Sequence, residues 1–225
     1  MKNSVSEELS SAARLVFVPA LISLIVTLWR LTGELLHWSD RFYNPEAGGA
    51  GAIVGITWLA PVFGVYFALH LARNGRSPSS WGRALGLPAL GTVVLIAGTP
   101  VQAVFLEHSF FAGLVYIWVL GLLAGSVQFF GWPQLFKTLL AYGLAARLPV
   151  ILIMALAIQG AWGTHYDARP AGFPEMGWQA AFIWLGFFPQ LLFWVPFTIV
   201  IGAFFGTPAA LLFHRGRQAV EKTAS

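Results

Sequence analysis

The hydrophobic positions of this chain form long continuous runs, and short segments between them hold most of the polar and charged residues. Continuous runs favour helices, because the strands of a membrane β-barrel alternate apolar and polar positions. A helix needs about 20 mostly apolar residues to cross a bilayer. Six runs approach or exceed this length: 15–36, 51–72, 84–106, 109–130, 135–162 and 178–205. The pattern therefore predicts an all-α fold, a polytopic transmembrane bundle of about six helices, formed by one domain over residues 1–225.

The last apolar run is longer than one membrane crossing requires. From Trp178 to Phe213 it covers 36 residues, which correspond to about 54 Å of helix. We interpret it as one span to residue 205, a break at Gly206–Pro208, and a short interfacial segment over 206–215. The alternative is a broken or re-entrant helix around Pro189 and Pro196, where the prolines interrupt the backbone hydrogen bonds.

The distribution of basic residues predicts the orientation. With six spans and the N-terminus inside, only Arg30, Arg41 and Arg169 of the 13 basic residues lie outside. Six of the nine acidic residues also fall outside. Lysine and arginine accumulate in cytoplasmic loops of membrane proteins. We therefore expect a multi-pass protein of the cell (inner) membrane with both termini in the cytoplasm.

Composition agrees with a membrane location and limits the kinds of partner that we expect. Only 10% of the residues are charged and 57% are apolar, whereas soluble domains have about 25% charged residues. The net charge is +4, but the basic residues form no stripe, so we expect no nucleic-acid partner. The expected partner is the lipid bilayer, with other membrane proteins or a second copy of the chain left open. The absence of cysteine excludes thiolate metal sites and disulfides.

Arg147 and Gln190 are the first candidate binding residues, for a substrate or a lipid. Arg147 lies two residues before Pro149 in the fifth apolar run. Either its long side chain reaches the membrane surface, or it binds an anionic group such as a lipid phosphate or a carboxylate. Gln190 follows Pro189 in the sixth run, and its amide needs a partner there. That partner is either a neighbouring helix or a polar cavity.

Three further residues are candidates for the same kind of site. Arg30 and Glu34 are four residues apart, so a helix places them on one face. They form either an ion pair at the membrane interface or part of an outward-facing polar site. Gln102 lies within the third run, where its amide also requires a hydrogen-bonding partner.

Several potential metal ligands are predicted to lie on the outer face. These are His37, Asp40, His108, His165 and Asp167. Imidazole and carboxylate suit zinc and similar ions. Their spacing matches no metal motif, and acidic outer loops also follow from the orientation rule, so we expect no metal site and no cofactor.

Three classes of function remain compatible with these patterns. We expect a multi-pass membrane protein without catalytic activity, in a scaffold, assembly or partner-binding role, because it has few buried charges and short loops. The first alternative is a small transporter or permeability pathway with a polar site between the fifth and sixth spans. The second is a membrane enzyme that uses the outer histidines and acids.

Overall fold

The structure is a computed structural model that describes residues 2–49 and 51–224, with the backbone alone for residues 2–12 and 220–224. Within this part of the chain there are helices and no strands. The α-helices are α1 (Lys2–Leu35), α2 (Asp40–Tyr43), α3 (Leu59–Arg73), α4 (Trp81–His108), α5 (Phe110–Ser126), α6 (Pro133–Gly160), α7 (Trp178–Ala181) and α8 (Val195–Ala224). Two π-helical segments, Phe182–Phe187 and Gln190–Trp194, connect α7 to α8, and α5 ends in a 3₁₀ turn, Val127–Phe130.

One end of the bundle gathers the two longest loops, and we call it the loop end. Here the backbone N–H of His165 donates to Glu34 Oε2 at 2.9 Å, which joins the segment after α6 to the last turn of α1. The rings of Phe110 and Phe173 meet at 5.3 Å, so the start of α5 lies at the same end.

The opposite end carries a concentration of arginines, and we call it the basic end. The guanidinium of Arg73 lies 5.2 Å from the centre of the Phe213 ring. The indole N–H of Trp132 donates to the carbonyl of Arg76 at 2.8 Å. These contacts place the end of α3, the start of α6 and residue 213 together. The long helices of the bundle therefore run between these two ends.

The exposed surface of α6 shows how the bundle meets its surroundings. Leu144, Leu148, Leu152 and Leu156 form a stripe at four-residue spacing, and Leu152 is 66% exposed. The opposite face of the helix is buried in the core. An exposed stripe of leucines is expected against lipid and unfavourable in water. In the described part of the chain, five helices are long and apolar enough to cross a membrane.

Small residues allow α3 and α8 to approach each other closely. A Cβ placed on Gly64 would overlap the backbone of Gly202, and one on Gly206 would overlap the backbone of Gly64. Ala60 and Ala68 flank Gly64 one turn away on either side and are also buried. Small residues at four-residue spacing permit such backbone contact between membrane helices. The contact of Gly64 with Gly202 and Gly206 therefore holds α3 directly against the first half of α8.

The prediction of a second helix over residues 51–72 is wrong in its first third. The helix α3 begins at Leu59 and has 15 residues, or about 22 Å, which is too short for a ~30 Å hydrocarbon layer. Gly51 has a φ of +83°, and the N–H groups of Ile53 and Val54 donate to carbonyls in the α2 region. Glycine and β-branched residues are poor helix formers, so these external bonds outweigh a helical turn.

The prediction of a break at Gly206–Pro208 is also wrong. The helix α8 continues through Pro208 to Ala224, so residues 206–215 are not a separate interfacial segment. Pro189 and Pro196 do not break the helix either, since each follows a π-helical segment. A proline has no N–H to donate to the carbonyl one turn earlier. In the wider π-helical turn, the N–H of the residue after the proline can donate to that carbonyl instead. The last apolar run is one long helix with two locally widened turns.

Candidate functional site

A cavity of about 540 Å³ lies in the loop-end half of the bundle. Its walls come from α1, the segment 47–58, α6, the loop 165–170 and the π-helical stretch before α8. Because α3 begins only at Leu59, no helix fills the space beside residues 51–58. The cavity is thus located where the second apolar run fails to form a helix.

Arg30, Glu34 and His165 form a buried network on one wall of this cavity. Arg30 Nε donates to Glu34 Oε1 at 2.8 Å, and Glu34 has no exposed side-chain surface. His165 Nδ1 lies 2.6 Å from Oε1 and 2.8 Å from Oε2 of the same carboxylate. With the backbone N–H of His165, the carboxylate accepts from three donors, and the Nδ1–H of His165 is shared between its two oxygens. These bonds compensate for the loss of water.

The protonation of His165 follows from its surroundings. Burial lowers the pKa of its imidazole below the usual value, and the nearby charge of Arg30 lowers it further, although the hydrogen bond to Glu34 opposes both. At neutral pH the ring is therefore uncharged, with its Nδ1–H donating to the carboxylate. The network of Arg30, Glu34 and His165 then carries no net charge.

The loop also provides a glycine whose backbone contacts the arginine directly. Gly49 has a φ of +59°, and a Cβ there would collide with Arg30 and approach the His165 ring at 2.9 Å. The Gly49 carbonyl accepts from Arg30 Nη2 at 3.2 Å, as does the carbonyl of Asn44. A left-handed conformation without a side chain favours glycine at this position. The loop thus closes over Arg30 through its backbone.

Arg147 occupies a different wall and has no acidic partner. Its Nη1 donates to Gln190 Oε1 at 3.2 Å, and its guanidinium lies 4.8 Å from the centre of the Trp194 ring. The side chain is buried. Within the described residues, no carboxylate lies within ion-pair distance of it. The Nε2 group of Gln190 has Met154 Sδ as its partner, at 3.5 Å.

Tyr166 lies close enough to both arginines to be influenced by their charges. Its hydroxyl donates to the carbonyl of Thr27 at 3.3 Å, and its ring lies 3.9 Å from that of His165. Burial raises the pKa of its phenol, while the positive charges of Arg30 and Arg147 act in the opposite direction. The phenol is therefore neutral, and it lines the cavity together with both arginines.

The structure brings four of the five predicted binding residues to the cavity region. Arg30, Arg147 and Gln190 line the cavity, and Glu34 lies behind Arg30. Gln102 is a half-buried residue of α4 and does not contribute to the cavity wall.

The possible metal ligands do not come together. Among the described residues, no three histidine or acidic side chains form a group that could hold a metal ion. His165 binds Glu34, and Asp167 accepts hydrogen bonds from Gly163 and Thr164 within its own loop. His108 Nδ1 lies 2.8 Å from the Val104 carbonyl. His37 and Asp40 are exposed and remain apart from the cavity.

Sequence reasoning missed the residues that complete the site. Trp194, Tyr166 and Gly49 were not candidates, and the partnership of His165 with Glu34 joins positions 131 residues apart. The sequence signal that pointed to this part of the site was the positive charge of Arg147 within an apolar helix.

The comparisons with known proteins provide no relative from which a role could be transferred. The chain matches no protein-family model, no curated protein and no solved structure.

Proposed function

We propose that this protein is a small transporter or permeability pathway that crosses the membrane six times and binds an anion in its cavity. The observation that carries the proposal is Arg147, a buried arginine that lines the cavity together with Arg30 and has no acidic partner among the described residues. Placing a charged side chain within the membrane costs free energy, and such residues commonly mark binding sites or transport pathways.

The charge of Arg147 is only partly compensated by its neighbours. A buried charge needs an opposite charge and further hydrogen bonds to offset the loss of water. Trp194 and Gln190 provide a cation–π contact and one hydrogen bond. Arginine has five N–H donors in a planar fork that suits carboxylate and phosphate groups. An anion in the cavity would use the donors that the protein does not.

Six crossings are supported by the charges at the two ends of the bundle. If the segment 51–73 did not cross, Arg73, Arg76 and Arg83 would all lie outside the cytoplasm, against the rule for basic residues. With six crossings the basic end faces the cytoplasm, together with both termini. The cavity then belongs to the half of the bundle nearer the external side.

The widened helix beside the cavity supports a transport role over a purely structural one. Irregular helical backbone is tolerated at membrane depth where it lines a cavity, and transporters use it to build binding sites. The segment Gln190–Trp194 has this form and contributes Gln190 to the cavity. A scaffold protein would have no need of a polar interior.

Solvent access to the cavity tests the proposal. The chain contains no cysteine, so Val150→Cys places a single thiol on the cavity wall in a nearly equal volume. Leu152→Cys, on the lipid-facing stripe of the same helix, is the matched control. We expect a small membrane-impermeant maleimide, added outside the cell, to label the thiol at 150 and leave the one at 152 unmodified, since the reaction requires a hydrated thiolate.

Protection by an anion completes this test. Phosphate or a short carboxylate added before the maleimide should slow the labelling of Val150→Cys. If the thiol at 150 stays unmodified in a folded protein, the interior is dry. The transport proposal then fails, and the scaffold or partner-binding role replaces it.

A further inference from the structure

We infer that the ligand of this cavity is a singly charged amphiphile, with a carboxylate or phosphodiester head bound at Arg147 and an apolar chain along the apolar side chains of the lining. This inference rests on the proposed anion-binding function and adds the class of the ligand. Three features carry it, namely the charge balance, the apolar lining and the size of the cavity.

The charge balance of the cavity favours one negative charge. Arg30 and Glu34 compensate each other at 2.8 Å, and burial lowers the pKa of the His165 imidazole, which favours an uncharged ring at neutral pH. Arg147 alone remains without a counter-charge in the described part of the cavity. A dianion bound here would leave one charge uncompensated in a region of low dielectric constant, which is unfavourable.

The polar groups are arranged for one head group. Trp194 stacks on the guanidinium of Arg147, so the N–H groups at the edge of the fork are the donors left for a ligand. Gln190 Nε2 has a thioether sulfur as its partner, and sulfur is a weak acceptor that an anionic oxygen would replace. Together Arg147 and Gln190 can donate to two oxygens of one carboxylate or phosphate.

Much of the remaining lining is apolar and comes from several segments. Val150 and Met154 come from α6, Leu185 and Pro189 from the π-helical stretch, and Ile56 from the segment before α3. A hydrated inorganic ion would gain nothing from these side chains. A hydrocarbon chain gains about 0.8 kcal/mol for each methylene that leaves water.

The cavity is much larger than an inorganic anion. A volume of 540 Å³ accommodates on the order of 18 groups the size of a water molecule, at ~30 Å³ each. Sites of this size usually bind organic molecules. Trp58 lines the cavity and is 53% exposed at the bundle surface, next to the segment without a helix. On this inference, a chain dissolved in the bilayer would enter the cavity beside Trp58.

Direct binding in nanodiscs of zwitterionic phosphatidylcholine tests this inference. The phosphodiester decyl methyl phosphate, which carries one negative charge, is the probe; dimethyl phosphate provides the same head without the chain, and decyl maltoside provides the same chain without a charge. Calorimetry against empty nanodiscs separates binding from partition into lipid. The variants are Arg147→Gln, which removes the charge, and Arg83→Gln, which removes an exposed charge on α4.

We expect decyl methyl phosphate to bind wild type and Arg83→Gln alike, and Arg147→Gln roughly 10- to 100-fold more weakly, as for the loss of a charged hydrogen-bonding partner. Dimethyl phosphate should bind at least roughly tenfold more weakly than decyl methyl phosphate, as a few buried methylenes require. If Arg147→Gln does not fold, Leu185→Gln replaces it, because it retains Arg147 and should weaken the binding of decyl methyl phosphate but not of dimethyl phosphate.

Two results would overturn the inference in different ways. Equal affinity for dimethyl phosphate and decyl methyl phosphate, both dependent on Arg147, would reject the amphiphile and leave the anion-binding function intact. Binding of decyl methyl phosphate that is unchanged in Arg147→Gln, or matched by decyl maltoside, would reject the amphiphile and the anion-binding function together.

Discussion

Replacing Glu34 by glutamine should destabilise the protein far more than the small chemical change suggests. The carboxylate lies at the centre of the loop end and has no exposed side-chain surface. Its oxygens accept from Arg30 Nε, from the backbone N–H of His165 and from His165 Nδ1, all within 2.9 Å. Glutamine keeps the shape but removes the charge and presents an NH₂ group where an acceptor is needed.

The magnitude follows from two separate losses. Removing one partner of a buried ion pair costs about 3–5 kcal/mol, because the remaining charge stays buried without compensation. Here that charge belongs to Arg30, which is only 8% exposed. In addition, the carboxylate accepts these hydrogen bonds with two oxygens, whereas the glutamine amide has only one. At least one N–H donor of the network would then face the N–H group of the amide. We therefore expect Glu34→Gln to lower the free energy of unfolding by about 3–5 kcal/mol.

The assay is reversible unfolding in mixed detergent micelles, followed by tryptophan fluorescence. The matched variant is the double substitution Arg30→Gln with Glu34→Gln, which removes both charges. Because it leaves no isolated charge, it should recover part of the stability that the single variant loses, and the cycle gives the coupling energy. If Glu34→Gln unfolds within about 1 kcal/mol of wild type, the network is not the structural clamp that its geometry implies.

Two further predictions concern the helix packing and the loop. Gly64→Ala should destabilise the bundle by roughly 1–3 kcal/mol in the same unfolding assay, since its Cβ would overlap the backbone of Gly202. Gly86→Ala, which meets nothing within 4 Å, should be neutral or stabilising, and equal effects of the two alanines would contradict the close contact. The low pKa of His165 means that the unfolded chain takes up a proton near pH 6.5 while the folded chain does not. Stability should therefore fall as pH drops below about 6.5, and His165→Gln should flatten that part of a plot of melting temperature against pH.

The sequence predicts the helices well where hydrophobicity alone decides the structure. The third, fourth and fifth apolar runs correspond to α4, to α5 with its 3₁₀ turn, and to α6, within a few residues at each end. In these runs the helix satisfies its own backbone, so no distant contact is required. The prediction for residues 51–58 is wrong because their backbone bonds to residues 41 and 42, and a count of apolar residues contains no information about such partners.

In the site as well, the sequence predicts contacts between nearby residues but not contacts between residues far apart in the chain. The i,i+4 spacing of Arg30 and Glu34 predicts that they share a helix face, and the structure places them 2.8 Å apart. That they are buried depends on the arrival of His165 from a loop far along the chain. The apolar surroundings of Arg147 made it a candidate, whereas its neighbours Gln190 and Trp194 lie more than forty residues away in sequence.

The glycines before α3 connect the fold to the proposed site. A helix running from Gly51 to Ala72 would fill the space beside α1 and α6, and it would cover Arg147 with apolar side chains. Gly49 and Gly51 instead adopt left-handed conformations, and the segment turns back to bond with Arg30. The volume left open becomes the cavity, and the arginine of α6 faces it with donors unused. In this chain the cationic cavity therefore exists because one helix is shortened. A ligand that fills the cavity replaces the contacts that the missing helical turns would have made.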